Sequence, residues 1–110
     1  MSKSNSYIWP DNVFFETEAD KDFAKLDHSQ QLVVFKAIKK VATNPRPSPD
    51  GYGKPLSGNL MGYCKIKLRD YGIRIIYKLV PPDSDNMSII IIGMRSDEKV
   101  YEDAMNRISK

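Results

Sequence analysis

The sequence predicts an α+β domain in the order β-α-α-β-β-β-α, a small antiparallel sheet with a helix hairpin on one face and a C-terminal helix. Three observations carry this. Two apolar stripes of helical period, with a short break between them, lie between Thr17 and Val41. Three runs of β-formers follow, within Tyr63–Lys78, over Ile73–Val80 and over Met87–Met94, separated by short turns. Strands joined so closely pair antiparallel. A last amphipathic segment then carries Val100, Ala104 and Ile108 on one side.

Residues 1–11 are polar with a proline and read as a flexible N-terminal tail, in which Trp9 is a candidate to staple onto the fold. Residues 12–110 read as a single domain. Val13-Phe14-Phe15-Glu16 is a short aromatic first strand. Thr17 stands where a helix N-cap belongs, and Glu18 and Asp20 in the first turn favour the helix dipole. Ala19, Phe23 and Leu26 form that helix's apolar stripe. Asp27-His28-Ser29 breaks it, with Ser29 placed to cap the next helix, whose buried face is Val34, Ala37, Ile38 and Val41. Asn44-Pro45 ends it. Asn44–Gly53, rich in Pro and Gly, is a long surface loop, and Pro81–Asn86 is a turn. Met87–Met94 is apolar on both faces, as a strand covered on both sides is. Ser96 is placed to cap the last helix, with Asp97 and Glu98 in its first turn and Arg107 and Lys110 at its far end.

The chain has 110 residues, 41% hydrophobic and 28% charged, which suits one modest core. Net charge is +3, a mild tilt toward anionic partners. A single cysteine, Cys64, allows no internal disulfide and lies in the inward phase of its strand, as a small buried hydrophobe does. A single histidine, His28, excludes a histidine-pair ribonuclease and a His/Cys zinc site. No phosphate-loop, dinucleotide or metalloprotease motif occurs, and no carboxylates cluster for two-metal hydrolysis. The opening MSKSNSYIWPDN has no apolar core of a signal peptide, and no later stretch has the ~20 apolar residues of a membrane helix. A cytoplasmic chain without a membrane partner is the expectation.

The chemistry concentrates in YCKIKLRDYGIRIIYK, residues 63–78. Read with period two, Lys65, Lys67 and Arg69 share one side of a strand, and Cys64, Ile66 and Leu68 share the other. Asp70-Tyr71-Gly72 supplies a turn, and Arg74 lies just past it. Between Lys54 and Lys78 stand six cations (Lys54, Lys65, Lys67, Arg69, Arg74, Lys78) against one Asp. Cations so close on a sheet repel one another, so an anion over them is expected, and phosphate fits best. Arg95 ends the apolar strand and Tyr101 lies in the last helix; both are expected on the same concave face, giving charge for an RNA backbone and a ring for a base. Each has a plainer reading: the basic face as a solvated one, Arg95 as a partner of Asp97 or Glu98, Tyr101 as core.

GKPLSGNLMGYCKIKLRDYGIRIIYKLV followed by IIGMRSDEKVY resembles the RelE/ParE superfamily of bacterial toxins over roughly residues 13–108. The K-x-K-x-R…G-x-R-x-x-Y block with a late G-x-R…V-Y points to the RelE branch, whose members are ribosome-dependent endoribonucleases that cut mRNA. The resemblance implies catalytic residues Lys65, Lys67, Arg74, Arg95 and Tyr101. Lys54, Lys65, Arg69 and Lys78 are taken as RNA-binding. It also implies a cognate antitoxin that occludes the groove, with operator DNA reached only through the antitoxin complex, and no cofactor. Met94 stands where relatives often carry another cation, and the 44–53 and 81–86 loops are longer than the compact family form. The alternative is a ParE-like toxin that poisons DNA gyrase, a branch that generally loses this basic set.

These residues suit the reaction. RNA carries its own nucleophile, the 2′-OH, and in-line attack leaves a 2′,3′-cyclic phosphate and a 5′-OH without a metal. Arg74 and Arg95 suit the phosphate charge, since guanidinium binds it bidentately and stays ionised. Lys67, crowded by Lys65 and Arg69, is the candidate base, because like charges favour a neutral amine. Arg95 or Tyr101 serves the leaving oxygen, and Tyr101 equally suits stacking.

Overall fold

A computed structural model describes residues 7–109. Its elements are β1 (Val13–Phe15), α1 (Thr17–Lys25), α2 (His28–Ala42), β2 (Lys54–Pro55), β3 (Tyr63–Leu68), β4 (Ile73–Leu79), β5 (Met87–Gly93) and α3 (Asp97–Ile108). The sheet order is β1-β5-β4-β3-β2. The β3-β4-β5 meander is antiparallel, as expected from its short turns. The whole sheet is mixed, however, because β1 lies parallel to β5, with Val13 opposite Met87 and Phe15 opposite Ile89. The two helices between β1 and β2 carry the chain across the sheet, so β1 reaches the far edge in the parallel sense. The two-residue β2 adds the other edge, opposite Cys64 and Lys65.

One sheet face packs on the α1–α2 hairpin. Val34 and Ile38 of α2, Ala19 and Phe23 of α1, and Ile73, Ile75 and Tyr77 of β4 are fully buried there, beside Cys64. The Tyr77 hydroxyl donates to the Pro45 carbonyl at 2.8 Å, and burial pushes both this phenol and the Cys64 thiol up from their ordinary pKa values. Asp27, not Ser29, caps α2: its carboxylate accepts from the Gln30 amide at 2.8 Å while the Gln30 side chain accepts from the Asp27 amide at 3.0 Å. A carboxylate two residues earlier reaches the third amide, and the Ser29 hydroxyl instead donates to Asp27. Likewise Glu16, not Thr17, is the residue before α1's first turn.

The other face carries α3, with Leu60, Ile76, Ile91, Val100 and Ala104 buried beneath it. Ile108, expected on the same stripe, is 38% exposed at the last residue of the helix. Close approach is set at Gly93, where a Cβ would lie 2.7 Å from Val100 Cγ2. The far end of α3 is tied down by Arg107, whose guanidinium donates to both oxygens of Asp22 at 2.7 and 3.0 Å and to the Ile90 carbonyl at 3.0 Å. Asp22 also accepts from the Ile92 amide at 3.0 Å. β1 covers only the first half of β5, so this pair satisfies backbone groups on the half that lacks a neighbouring strand. Arg107 thus does more than complement the helix dipole; Lys110 lies outside the described residues.

Two segments outside the helices and strands are also tied down. Within the tail, Trp9 was the candidate to staple onto the fold, and it does so: it is only 6% exposed and packs against Phe15, Phe23 and Phe35 with ring centroids 4.8–5.3 Å apart. Burial of so large a ring outweighs the polar residues around it. The 44–53 loop and the 81–86 turn also meet: Arg46 donates to the Asp85 carboxylate at 3.1 Å and to the Asp83 carbonyl at 2.7 Å. Trp9→Ala is therefore expected to cost roughly 3–5 kcal/mol in urea denaturation; a loss below ~1 kcal/mol would mean that residues 7–11 are not part of the folded unit.

Candidate nucleic-acid interface and active site

The face beneath α3 also holds the cations. In the β3–β4 register Lys67 stands directly opposite Arg74, and Lys65 opposite Ile76. Lys65 and Lys67, two residues apart, therefore share a face with Arg74 on the neighbouring strand. Lys65 is nearly buried, at 8% exposure, and Lys67 and Arg74 are half-buried.

What holds these charges together is Asp97, the first residue of α3. Its Oδ2 lies 3.1 Å from Lys67 Nζ and 3.5 Å from Lys65 Nζ, and its Oδ1 accepts from Arg74 Nε. Arg74 also donates to the Gly72 carbonyl at 3.1 Å. Gly72 adopts a left-handed φ of 66°, open to glycine at no steric cost, and this closes the turn that sets β4 beside β3. The Arg74 and Lys67 hydrogen bonds hold the Asp97 carboxyl well below the usual carboxylate range. Tyr101, four residues after Asp97 on the same side of α3, accepts from Lys65 Nζ at 2.7 Å. That bond raises the Lys65 pKa against the opposing effect of burial, so Lys65 is held as an ammonium.

Five cations and a phenol were expected on one face; three cations and the phenol gather. Arg69 is exposed because β3 ends at Leu68 and a 3-10 turn over Arg69–Tyr71 breaks the strand alternation at that residue. Arg95 pairs with Asp103 at 3.2 Å. Asp103 and Tyr101 are two residues apart and so lie on opposite flanks of α3, which draws Arg95 away from the cluster. Lys54 is the β-partner of Lys65 and borders a cleft of about 310 Å³ that Tyr101, Leu56 and Leu60 also line. Lys78 lies four residues along β4 from Arg74, about 13 Å, and its ammonium sits 5.6 Å from the Tyr63 ring centre. It borders a separate cleft with Arg107 and Glu16.

Asp97 is the residue that sequence reasoning missed. In a helix's first turn an aspartate is explained by the dipole alone. Its four-residue spacing from Tyr101 was the available sign that it turns inward. Like-charge crowding of Lys67 is also less than expected, since Arg69 is absent from the cluster and a carboxylate is present.

A carboxyl with a depressed folded pKa contributes stability that is fully present above its ordinary value of 3.8 and is lost as pH falls through the folded value. Asp97→Asn is thus expected to be less stable than the wild type by on the order of 1 kcal/mol at neutral pH. In urea denaturation that gap should narrow as pH falls below 3.8; a gap constant down to pH ~2 would contradict the ion cluster.

No family model matches the chain. A RelE-like toxin protein of Escherichia coli is 31% identical over 97 residues, covering 87% of this chain and 95% of that protein. The crystal structure of isolated E. coli RelE toxin is 28% identical, covers 87% of this chain and 96% of its own, and superposes with a TM-score of 0.64. A mutant E. coli RelE in complex with a peptide of antitoxin RelB is 27% identical over 84% of this chain and 90% of its own, with a TM-score of 0.64. These likenesses favour the RelE branch over the gyrase-poisoning alternative. The chain belongs to the RelE-like family of toxins from toxin–antitoxin systems.

Proposed function

We propose that this protein is a ribosome-dependent, metal-independent endoribonuclease that cleaves mRNA in the cytoplasm and so inhibits translation. The observation that carries the reading is the convergence of Lys65, Lys67 and Arg74 on a single carboxylate, beside Tyr101. Two strands aim three cations at one anion, and a phosphodiester has the same charge and similar oxygen spacing. In the reaction the 2′-oxygen forms a bond to phosphorus while the bond from phosphorus to the 5′-oxygen breaks. Lys67 is the base of this reading: it takes the 2′-hydroxyl proton in those molecules where its ammonium has first given up its own, while Lys65 and Arg74 stay charged. Arg74 and the ammonium of Lys65 neutralise the charge that builds on the non-bridging oxygens. Tyr101, whose hydroxyl oxygen accepts from Lys65, can donate its hydroxyl proton to the leaving 5′-oxygen or stack on a base. Arg95 joins by leaving Asp103, an exposed pair whose loss costs under about 1 kcal/mol.

Lys54, paired with Lys65 from β2, and Arg69, just past the end of β3, add RNA-binding charge beside the cluster, and Lys78 adds more from farther along β4. A net charge of only +3 gives weak, salt-dependent binding of free RNA, so the ribosome supplies the orientation. The partner is a cognate antitoxin, a reading supported by the antitoxin complex of the E. coli relative, and in this proposal it covers this face. Operator DNA is reached only through that complex.

Induction of the wild type should produce new mRNA 5′ ends within translated regions, and single Lys67→Ala or Arg74→Ala variants should cut about 10²–10³-fold more slowly. Growth arrest of equal strength by wild type and a Lys67→Ala/Arg74→Ala double variant, without new ends, would discard the nuclease reading.

A further inference from the structure

The cluster is already occupied by an anion, and the occupant is part of the chain. Asp97 uses both carboxylate oxygens, one toward Arg74 and one toward Lys67 and Lys65, which leaves those donors committed. We propose that Asp97 takes the place of a substrate phosphate in the free protein, so that RNA must displace it to reach Lys65, Lys67 and Arg74. This rests on the nuclease reading above and adds a self-blocking contact to the same site.

The geometry favours displacement over joint occupancy. A phosphate within hydrogen-bond distance of Lys67 and Arg74 comes within a few ångströms of the carboxylate, where two like charges repel strongly. The carboxylate's bonds to three cations also make it a poor base, so a blocking role suits it better than taking the 2′-hydroxyl proton. Release is sterically simple. Asp97 is the first residue of α3, and the preceding Met94, Arg95 and Ser96 are exposed. Rotation about its two side-chain torsions, or a shift of the first helical turn, frees the cations while Gly93 against Val100 keeps the helix seated.

The probe is a short fluorescein-labelled oligoribonucleotide, 2′-O-methylated throughout so that it cannot be cut, titrated at low fixed salt with anisotropy as the readout. Asp97→Asn and Asp97→Ala are expected to bind about tenfold tighter than the wild type. Asp97→Glu keeps the charge and should bind like the wild type. A merely structural aspartate would give equal or weaker binding in Asn and Ala, and that result overturns the proposal. If both neutral variants fail to fold, the wild type decides: saturating oligonucleotide must shift the amide resonances of Ser96–Lys99, and unmoved resonances overturn it. Tighter binding by the neutral variants, without mRNA cuts by the wild type in cells, would keep the phosphate mimicry and remove the nuclease reading. The reverse pattern would remove the mimicry alone.

Discussion

Lys67 and Arg74 face each other across two adjacent strands, with Lys65 two residues away on the same face. Directly opposed residues in such a pair lie about 5 Å apart at Cβ, and like charges there destabilise the sheet. Removing Lys65 almost wholly from water sharpens the conflict. The fold resolves it with Asp97, which brings one negative charge to three positive ones, and with Tyr101, whose oxygen takes a Lys65 proton bond. Cluster and helix therefore depend on each other: α3 is seated over the cations, and the cations tolerate one another because α3 is there.

That helix is anchored at both ends by charge. Asp97 ties its start to β3 and β4, and Arg107 ties its last turn to Asp22 of α1 and the Ile90 carbonyl. Between them Gly93 allows Val100 to sit close against β5. A site built this way is held by a sheet and a clamped helix, as positioning of a reacting phosphate demands. The residues that vary the electrostatics, Asp97 and Arg95, lie at the short junction between β5 and α3. Arg95 is exposed there and pairs with the half-buried Asp103. The junction is thus where the charge over the cluster can change without rebuilding the core.

The meander, the helix hairpin and the inward phase of Cys64 were legible because each rests on local periodicity. The grouping of Lys65, Lys67 and Arg74 was legible for the same reason, as strand alternation plus a short turn fixes the register. Arg69 was misplaced because alternation does not announce where a strand stops, and here a 3-10 turn begins at that residue. Arg95 was misplaced because its direction depends on which of several carboxylates on α3 it meets, a choice made by helix phase. The parallel β1 and the Asp22–Arg107 pair join residues far apart in the chain, and no spacing rule reaches that distance, whereas the size of the Trp9 ring alone marked it as a staple. Asp97 hid behind a sufficient local explanation, the helix dipole.

The central claim is that the β3 and β4 cations form one phosphate site. A crystal structure of the protein with a 2′-O-methylated oligoribonucleotide tests it most directly. A backbone phosphate is expected within about 3 Å of both Lys67 Nζ and the Arg74 guanidinium, with the Asp97 carboxylate turned away. RNA bound on another face, with Asp97 still bridging Lys67 and Arg74, would contradict it.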